Sequence, residues 1–278
     1  MRAVAVQPDV VVVTSRLWQT TATAIRAPAQ TAPEGGEAFL IDSPYFPDEL
    51  ELLPTLMSHA GFEVRGLLAT HADFDHLLGR LAFPDLTLGV GEPTMARIRA
   101  EPGAAQRELR DADAQHYVRR ERPLSLGGVQ ALPVPGHVGL GDGELEVHPA
   151  EGHTVDGSAV FAREAGVLVC GDFLSDVEIP MLSPGGSLAA YRSTLARLAP
   201  LIEAAEVIVP GHGAPAPRER ALAVLDEDAA YLDVLEAGEE RPPLPARPGR
   251  RRPRQGWRAR GRGRGEHRAR ARSPPRPR

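Results

Sequence analysis

Apolar residues change their period several times along this chain, and each change marks an element. Residues 10–13 and 17–25 are rich in β-branched side chains and predict strands. A turn is expected at 33–36, then a buried strand at 39–41 that ends on Asp42. From 47 to 60 the period lengthens, and Leu50, Leu53, Leu56 and Met57 recur at helical spacing. Pro54 falls inside that pattern, as a kink or as the true start of the helix, and Gly61 is its stop. Residues 62–70 predict another strand, which runs into the most polar cluster of the chain. A short helix at 77–83, a strand at 86–90 and a helical stretch at 93–120, broken near Pro102 and Gly103, follow.

The second half repeats the alternation. Strands at 129–134, 144–149, 159–163 and 167–170 precede an amphipathic helix at 187–199, a short buried strand at 207–209 and a final helix at 218–237. Runs of strands with helices between and after them predict an α+β protein, its sheets covered by helices, in one domain over residues 1–238. From residue 239 the apolar periodicity disappears. The last 38 residues hold 15 Arg, 8 Pro and 5 Gly, so residues 239–278 are predicted to be disordered.

Composition adds limits. The 278 residues are 42% apolar, enough for a core of normal size. No stretch approaches the roughly 20 apolar residues of a membrane span. The net charge of −5 hides a split: 17 Arg stand against 36 acids in the first 240 residues, whereas Glu266 is the single acid of the rest. So acidic a body binds nucleic acid poorly, which leaves the basic tail as the only nucleic-acid contact to expect. The chain has no Lys and no Asn, the mark of GC-rich coding DNA. The tail is therefore either an arginine-rich polyanion-binding segment or GC-rich DNA translated out of frame. The body shows no other sign of a polyanion partner, which favours the second origin. The N-terminus lacks the features of an export signal, so a cytoplasmic protein is expected. A single cysteine, Cys170, excludes a disulfide scaffold and a multi-cysteine zinc cluster.

The strongest chemical signal is Thr70-His71-Ala72-Asp73-Phe74-Asp75-His76, with four potential ligands in six residues after an apolar strand. At strand-like spacing His71, Asp73 and Asp75 point to one side, and His76 follows as the chain turns into a helix. Imidazole and carboxylate together suit zinc, iron or manganese. A solvated loop with surface histidines is the plainer alternative. Three later segments weigh against it: Glu151-Gly152-His153, Gly171-Asp172 and Pro210-Gly211-His212-Gly213 each set a His or Asp beside a glycine at a strand end. The other histidines carry less weight. His137 reads as a turn residue, His59 and His116 as surface positions, and His148 as a strand residue without a role; Cys170 reads as a small buried apolar residue.

His71-x-Asp73-x-Asp75-His76, followed by His153, Asp172 and His212, resembles the metallo-β-lactamase superfamily over about residues 10–237. The resemblance implies a four-layer αββα sandwich with a binuclear metal site at one sheet edge. His71, Asp73 and His153 would hold the first metal. Asp75, His76 and His212 would hold the second, with Asp172 bridging. The family usually reads His-x-His-x-Asp-His, so Asp73 departs from it and brings a charge and a harder donor. It either favours iron or manganese over zinc at the first site, or turns away and leaves a single metal.

The implied cofactors are two divalent metal ions, zinc first, with iron or manganese as alternatives. The implied chemistry is attack on a carbonyl or phosphoryl centre by a hydroxide that the metals stabilise. Asp75 is the expected catalytic residue, orienting the nucleophile or shuttling a proton. The leading expectation is a hydrolase of a small-molecule ester, thioester or lactone-like bond. An iron-dependent oxidoreductase or dioxygenase of the same fold, and a non-catalytic metal-binding scaffold, are the alternatives. The polar stretch 97–122 is expected near the site.

Overall fold

The computed structural model describes residues 1–27 and 36–238. β-Branched and small apolar residues build its first sheet. The strands β1 (Arg2–Gln7), β2 (Val10–Thr14), β3 (Thr21–Arg26), β4 (Gly36–Asp42), β5 (Phe62–Ala69), β6 (Leu88–Gly91) and β7 (Val129–Leu132) lie side by side in chain order. β1 to β4 are antiparallel, and β4 to β7 are parallel. Parallel neighbours need crossovers. These are α1 (Pro47–His59) after β4, α2 (Gly79–Ala82) after β5, and α3 (Glu92–Ala100) with α4 (Ala104–His116) after β6.

The second sheet holds β8 (Gly136–Leu140), β9 (Gly143–Pro149), β10 (Ser158–Ala162), β11 (Val167–Val169), β12 (Val207–Val209) and β13 (Ala216–Pro217). Their spatial order is β13-β12-β11-β10-β9-β8. α5 (Leu188–Ala204) and α6 (Arg218–Glu236) cover it. Three apolar layers result. Leu40, Leu53, Met57, Leu67 and Leu109 pack the first sheet under its helices. Phe161, Leu168, Leu195, Leu198 and Leu232 do the same for the second. Val10, Val12, Ile41, Val160, Val167 and Val209 fill the space between the sheets. The αββα sandwich is thereby realised, each sheet buried on two faces. Each of these side chains contributes roughly 1.5–3 kcal/mol on burial.

Most predicted elements stand within a residue or two. α1 runs through Pro54, with Pro47 at its start, and Gly61 ends it at φ +77°. The break at Pro102–Gly103 separates α3 from α4. Residues 17–20 are not strand, contrary to expectation. Trp18 and Gln19 take left-handed backbone (φ 53° and 55°), and the turn brings Thr20 beside His212. Three strands escape the pattern. β1 is an exposed edge, β13 is two residues long, and β8 is rich in glycine. The expected tail over 239–278 and most of the turn at 33–36 lie outside the described residues. Among the described residues no helix is long and apolar enough to cross a membrane.

The start of α1 is fixed by a buried carboxylate. Glu49 accepts from Ser15 Oγ (2.6 Å), Arg16 N (3.0 Å) and Phe46 N (3.1 Å). Burial works against its charge, but these donors outweigh burial and hold its pKa below the usual value. A depressed carboxylate stabilises the fold above its unfolded pKa, about 4.3, and that contribution fades as pH falls through the folded value. Glu49→Gln is expected to cost roughly 1–3 kcal/mol at pH 7. It should also flatten the loss of stability on acidification, and urea unfolding of both proteins at pH 7 and pH 3 checks both points.

Candidate metal centre

The polar residues collect where strands of both sheets end. β5 closes at Ala69 and delivers residues 70–76. The β9–β10 connection carries His153, β11 delivers Asp172, and β12 delivers His212. The chain does not continue as a strand through 71–75. Residues 71–73 bend, and Phe74–His76 form a single 3-10 turn. His71, Asp73 and Asp75 therefore do not share a side by strand alternation. His71 and Asp73 group with His153, whereas Asp75 and His76 group with His212; in each group the ligand atoms lie within 4.8 Å of one another. The backbone turn, which strand spacing could not foresee, makes two sites from one motif.

Asp172 stands between the groups. Its Oδ2 lies 3.1 Å from His153 Nε2, 3.5 Å from His212 Nε2 and 3.8 Å from His71 Nε2, and its Oδ1 lies 3.1 Å from His76 Nε2. Asp73 Oδ2 is 3.5 Å from His153 Nε2 and 3.8 Å from His71 Nε2. Asp75 Oδ2 is 3.4 Å from His212 Nε2. Asp73 thus turns one oxygen into the cluster, and its other oxygen meets Arg97 of α3 at 2.8 Å. Two glycines make room. Gly171 has φ +57° beside the Thr70 side chain, and a Cβ on Gly211 would lie 2.3 Å from Asp172 Oδ1.

The imidazoles are oriented from behind. The Nδ1 atoms of His71, His76, His153 and His212 lie 3.0, 3.0, 2.9 and 3.2 Å from Thr70 Oγ1, Asp42 Oδ2, Met181 O and Trp18 O respectively. Each ring therefore turns Nε2 to the centre. Among the described residues, His71 Nε2, His76 Nε2, His153 Nε2 and Asp172 Oδ1 are buried without a hydrogen bond. Buried polar atoms are normally satisfied. Four inward orphans on imidazole and carboxylate fit divalent cations, whose ligands they are by type.

Sequence reasoning missed Glu178. It approaches Asp172 and His212 closely enough to form a further ligand group, from a loop with no periodic pattern to betray it. The stretch 97–122 does border the site. A cavity of about 220 Å³ beside it is lined by Ala72, Arg97, Glu101, Gln106, Glu108 and Leu126. Among the discounted residues, Cys170 borders His71, His153 and Asp172, and His116 packs against Trp18. His137 and His148 pair with Glu144 and Glu146, and Cys170 is fully buried, its thiol pKa pushed up by burial.

Burial opposes every charge here, and the opposite charges mostly win. His153 is held up to about 11 by Asp172 and Asp73, and His212 up to about 10 by Glu178, Asp172 and Asp75. His76 is raised well above its usual value by Asp172, Asp42 and Asp75. Asp172 is held well below the carboxylate range by the four histidines. His71 is lowered by burial and by His76. Without a metal, the surrounding carboxylates favour the protonated form of His76, His153 and His212.

A model of the metallo-β-lactamase superfamily matches residues 16–212. Among solved structures, the metallo-β-lactamase family protein TTHA1429 from Thermus thermophilus is similar at 21% identity and TM-score 0.63, with 86% of each chain covered. A metallo-β-lactamase from Pontibacter korlensis is similar at 20% identity and TM-score 0.57, over 81% of this chain and 98% of its own. TTHA1623 in a di-iron-bound form is similar at 22% identity and TM-score 0.55, over 77% of this chain and 97% of its own. No curated protein matches.

Metal ligation requires neutral imidazole, so cation binding must displace these protons. Titrating metal-free protein with zinc at pH 8 in weak buffer is expected to release roughly two to three protons per chain. Binding should weaken steeply as the pH is lowered. Zinc uptake without proton release would place the metal away from these rings.

Proposed function

Because the chain belongs to the metallo-β-lactamase superfamily, we propose that it is a metal-dependent hydrolase of small molecules, working through two divalent cations. The observation that carries this reading is the cluster of inward, unsatisfied Nε2 atoms around Asp172. In this reading His71, Asp73 and His153 hold one cation, Asp75, His76 and His212 hold the other, and Asp172 serves both. Bound there, divalent metal ions supply Lewis acidity, polarising a substrate oxygen and acidifying water.

The chain's own residues do the rest. Met181 O and Trp18 O fix the rings of His153 and His212, and Asp42 fixes His76. Asp75, buried in the second group, orients the attacking water and takes up its proton on the carboxylate. The substrate reading rests on the surroundings. Met181 and Leu182, next to the His153 anchor, are exposed, as are Val155 and Trp18. Apolar side chains on the flanks suit the apolar part of an ester, thioester or lactone. The acidic body disfavours polyanionic substrates.

Zinc is the first choice of metal. Asp73 as a hard oxygen donor, together with the di-iron form of TTHA1623, supports iron as the second. Iron in the purified protein would shift the reading to an oxygen-dependent oxidoreductase.

Hydrolysis of a thioester, ester or lactone panel is expected to stop on chelation and to return with zinc. His153→Ala and Asp172→Ala should each lower kcat/KM by more than about a hundredfold. Met181→Ala with Leu182→Ala should raise KM for long-chain substrates and leave short ones unchanged. Full activity after exhaustive chelation would sink the proposal.

A further inference from the structure

Asp73 stands where the family usually has histidine, and the exchange has an electrostatic cost. An imidazole ligand is neutral, whereas Asp73 adds a further carboxylate to Asp75, Asp172 and Glu178 within one desolvated cluster. Unpaired charges are not tolerated in such surroundings. The compensating charge comes from α3. Arg97 is largely buried, and its Nη1 lies 2.8 Å from Asp73 Oδ1 and 2.9 Å from Asp156 Oδ1.

Asp156 in turn is fully buried and fastens the unit. Its Oδ2 accepts from Ala72 N at 2.8 Å, next to Asp73, and its carbonyl accepts from Thr94 Oγ1 at 2.8 Å. Arg97 is therefore held from both sides, with Asp73 Oδ2 left to face His71 and His153. We infer that Arg97 is the counter-charge that lets an aspartate stand at position 73, so that residues 73 and 97 form one exchange unit of the metal centre. Arg97, shared between Asp73 and Asp156, offsets part of the added charge and is a positioning residue, acting through Asp73. The inference rests on the metal-site reading above.

The unit makes a signed prediction. Histidine at 73 with Arg97 retained leaves the guanidinium beside the metal with Asp156 as its one remaining close buried carboxylate, so it is offset less fully than in the wild type. Zinc affinity is measured by competition with a chromophoric chelator, on folded protein verified by its unfolding midpoint. Asp73→His is expected to weaken one zinc step by about a hundredfold. Asp73→His with Arg97→Gln should recover to within about tenfold of wild type. Asp73→His with Arg97→Lys, which keeps the charge, should stay weak. A double variant with Gln no tighter than D73H, or recovery with Lys as well, overturns the inference, since a merely structural arginine would not separate Gln from Lys. If the double variant does not fold, Arg97→Gln alone decides. On the Asp73 background it removes the cation that holds the outer oxygen of Asp73, so zinc affinity should change by about tenfold or more while Arg97→Lys stays near wild type; equal affinity in all three overturns the inference. A wild-type chain that binds no zinc overturns the metal-site reading, and the inference with it. Zinc bound by wild type without recovery in the double variant overturns the inference alone.

Discussion

The carboxylate of Asp42 ties the fold to the site. It sits at the end of β4, nearly solvent-free, in left-handed backbone at φ +59°. Thr70 N and Oγ1 donate to it from the end of the neighbouring parallel strand, at 2.8 and 2.9 Å. Its other contact is His76 Nδ1 at 3.0 Å. One side chain thus joins two strand ends, the start of the ligand loop and the orientation of a ligand ring. Aspartate tolerates left-handed backbone better than most residues, and here its position is over-determined by the groups around it.

The same logic is repeated with different materials at the other rings. His153 is held by a carbonyl of the loop that leads into α5, and His212 by a carbonyl of the turn after β2. The loop is itself clipped down by Ser183 N and Ser187 N donating to His153 O and Gly152 O. Carbonyls and carboxylates behind the rings prefer a proton on Nδ1, which leaves the Nε2 lone pair for the centre. A cluster so dense in buried charge holds together through its own opposite charges, imidazoles against carboxylates.

Much of this was legible in advance, for separable reasons. Leu50, Leu53 and Met57 announce α1 because one helix face is buried, and the valines of β2, β11 and β12 announce strands because both faces are. Four of the seven proposed ligands were legible as a dense polar cluster after an apolar strand, and the other three as a His or Asp beside glycine at a strand end. Tertiary geometry was not. The alternation expected of His71, Asp73 and Asp75 gave way to a 3-10 turn that sends Asp75 to the other group. Glu178 comes from a loop whose local sequence has no reason to look functional, and Arg97 was expected near the site only as part of the polar stretch 97–122. The strand expected at residues 17–20 is a turn because its residues serve His212, a partner nearly 200 positions away.

The two sheets contribute different halves of the centre: residues 71–76 come from the first, and His153, Asp172 and His212 from the second. Their relative placement is set by the valines and leucines between the sheets, among them Val160, Val169 and Leu68. That apolar layer is the mould in which the centre is cast. A methyl group lost there, far from any ligand, changes the spacing of the two ligand groups. Evolution of this chain toward a new metal or a wider bridge can therefore proceed through residues that never touch it.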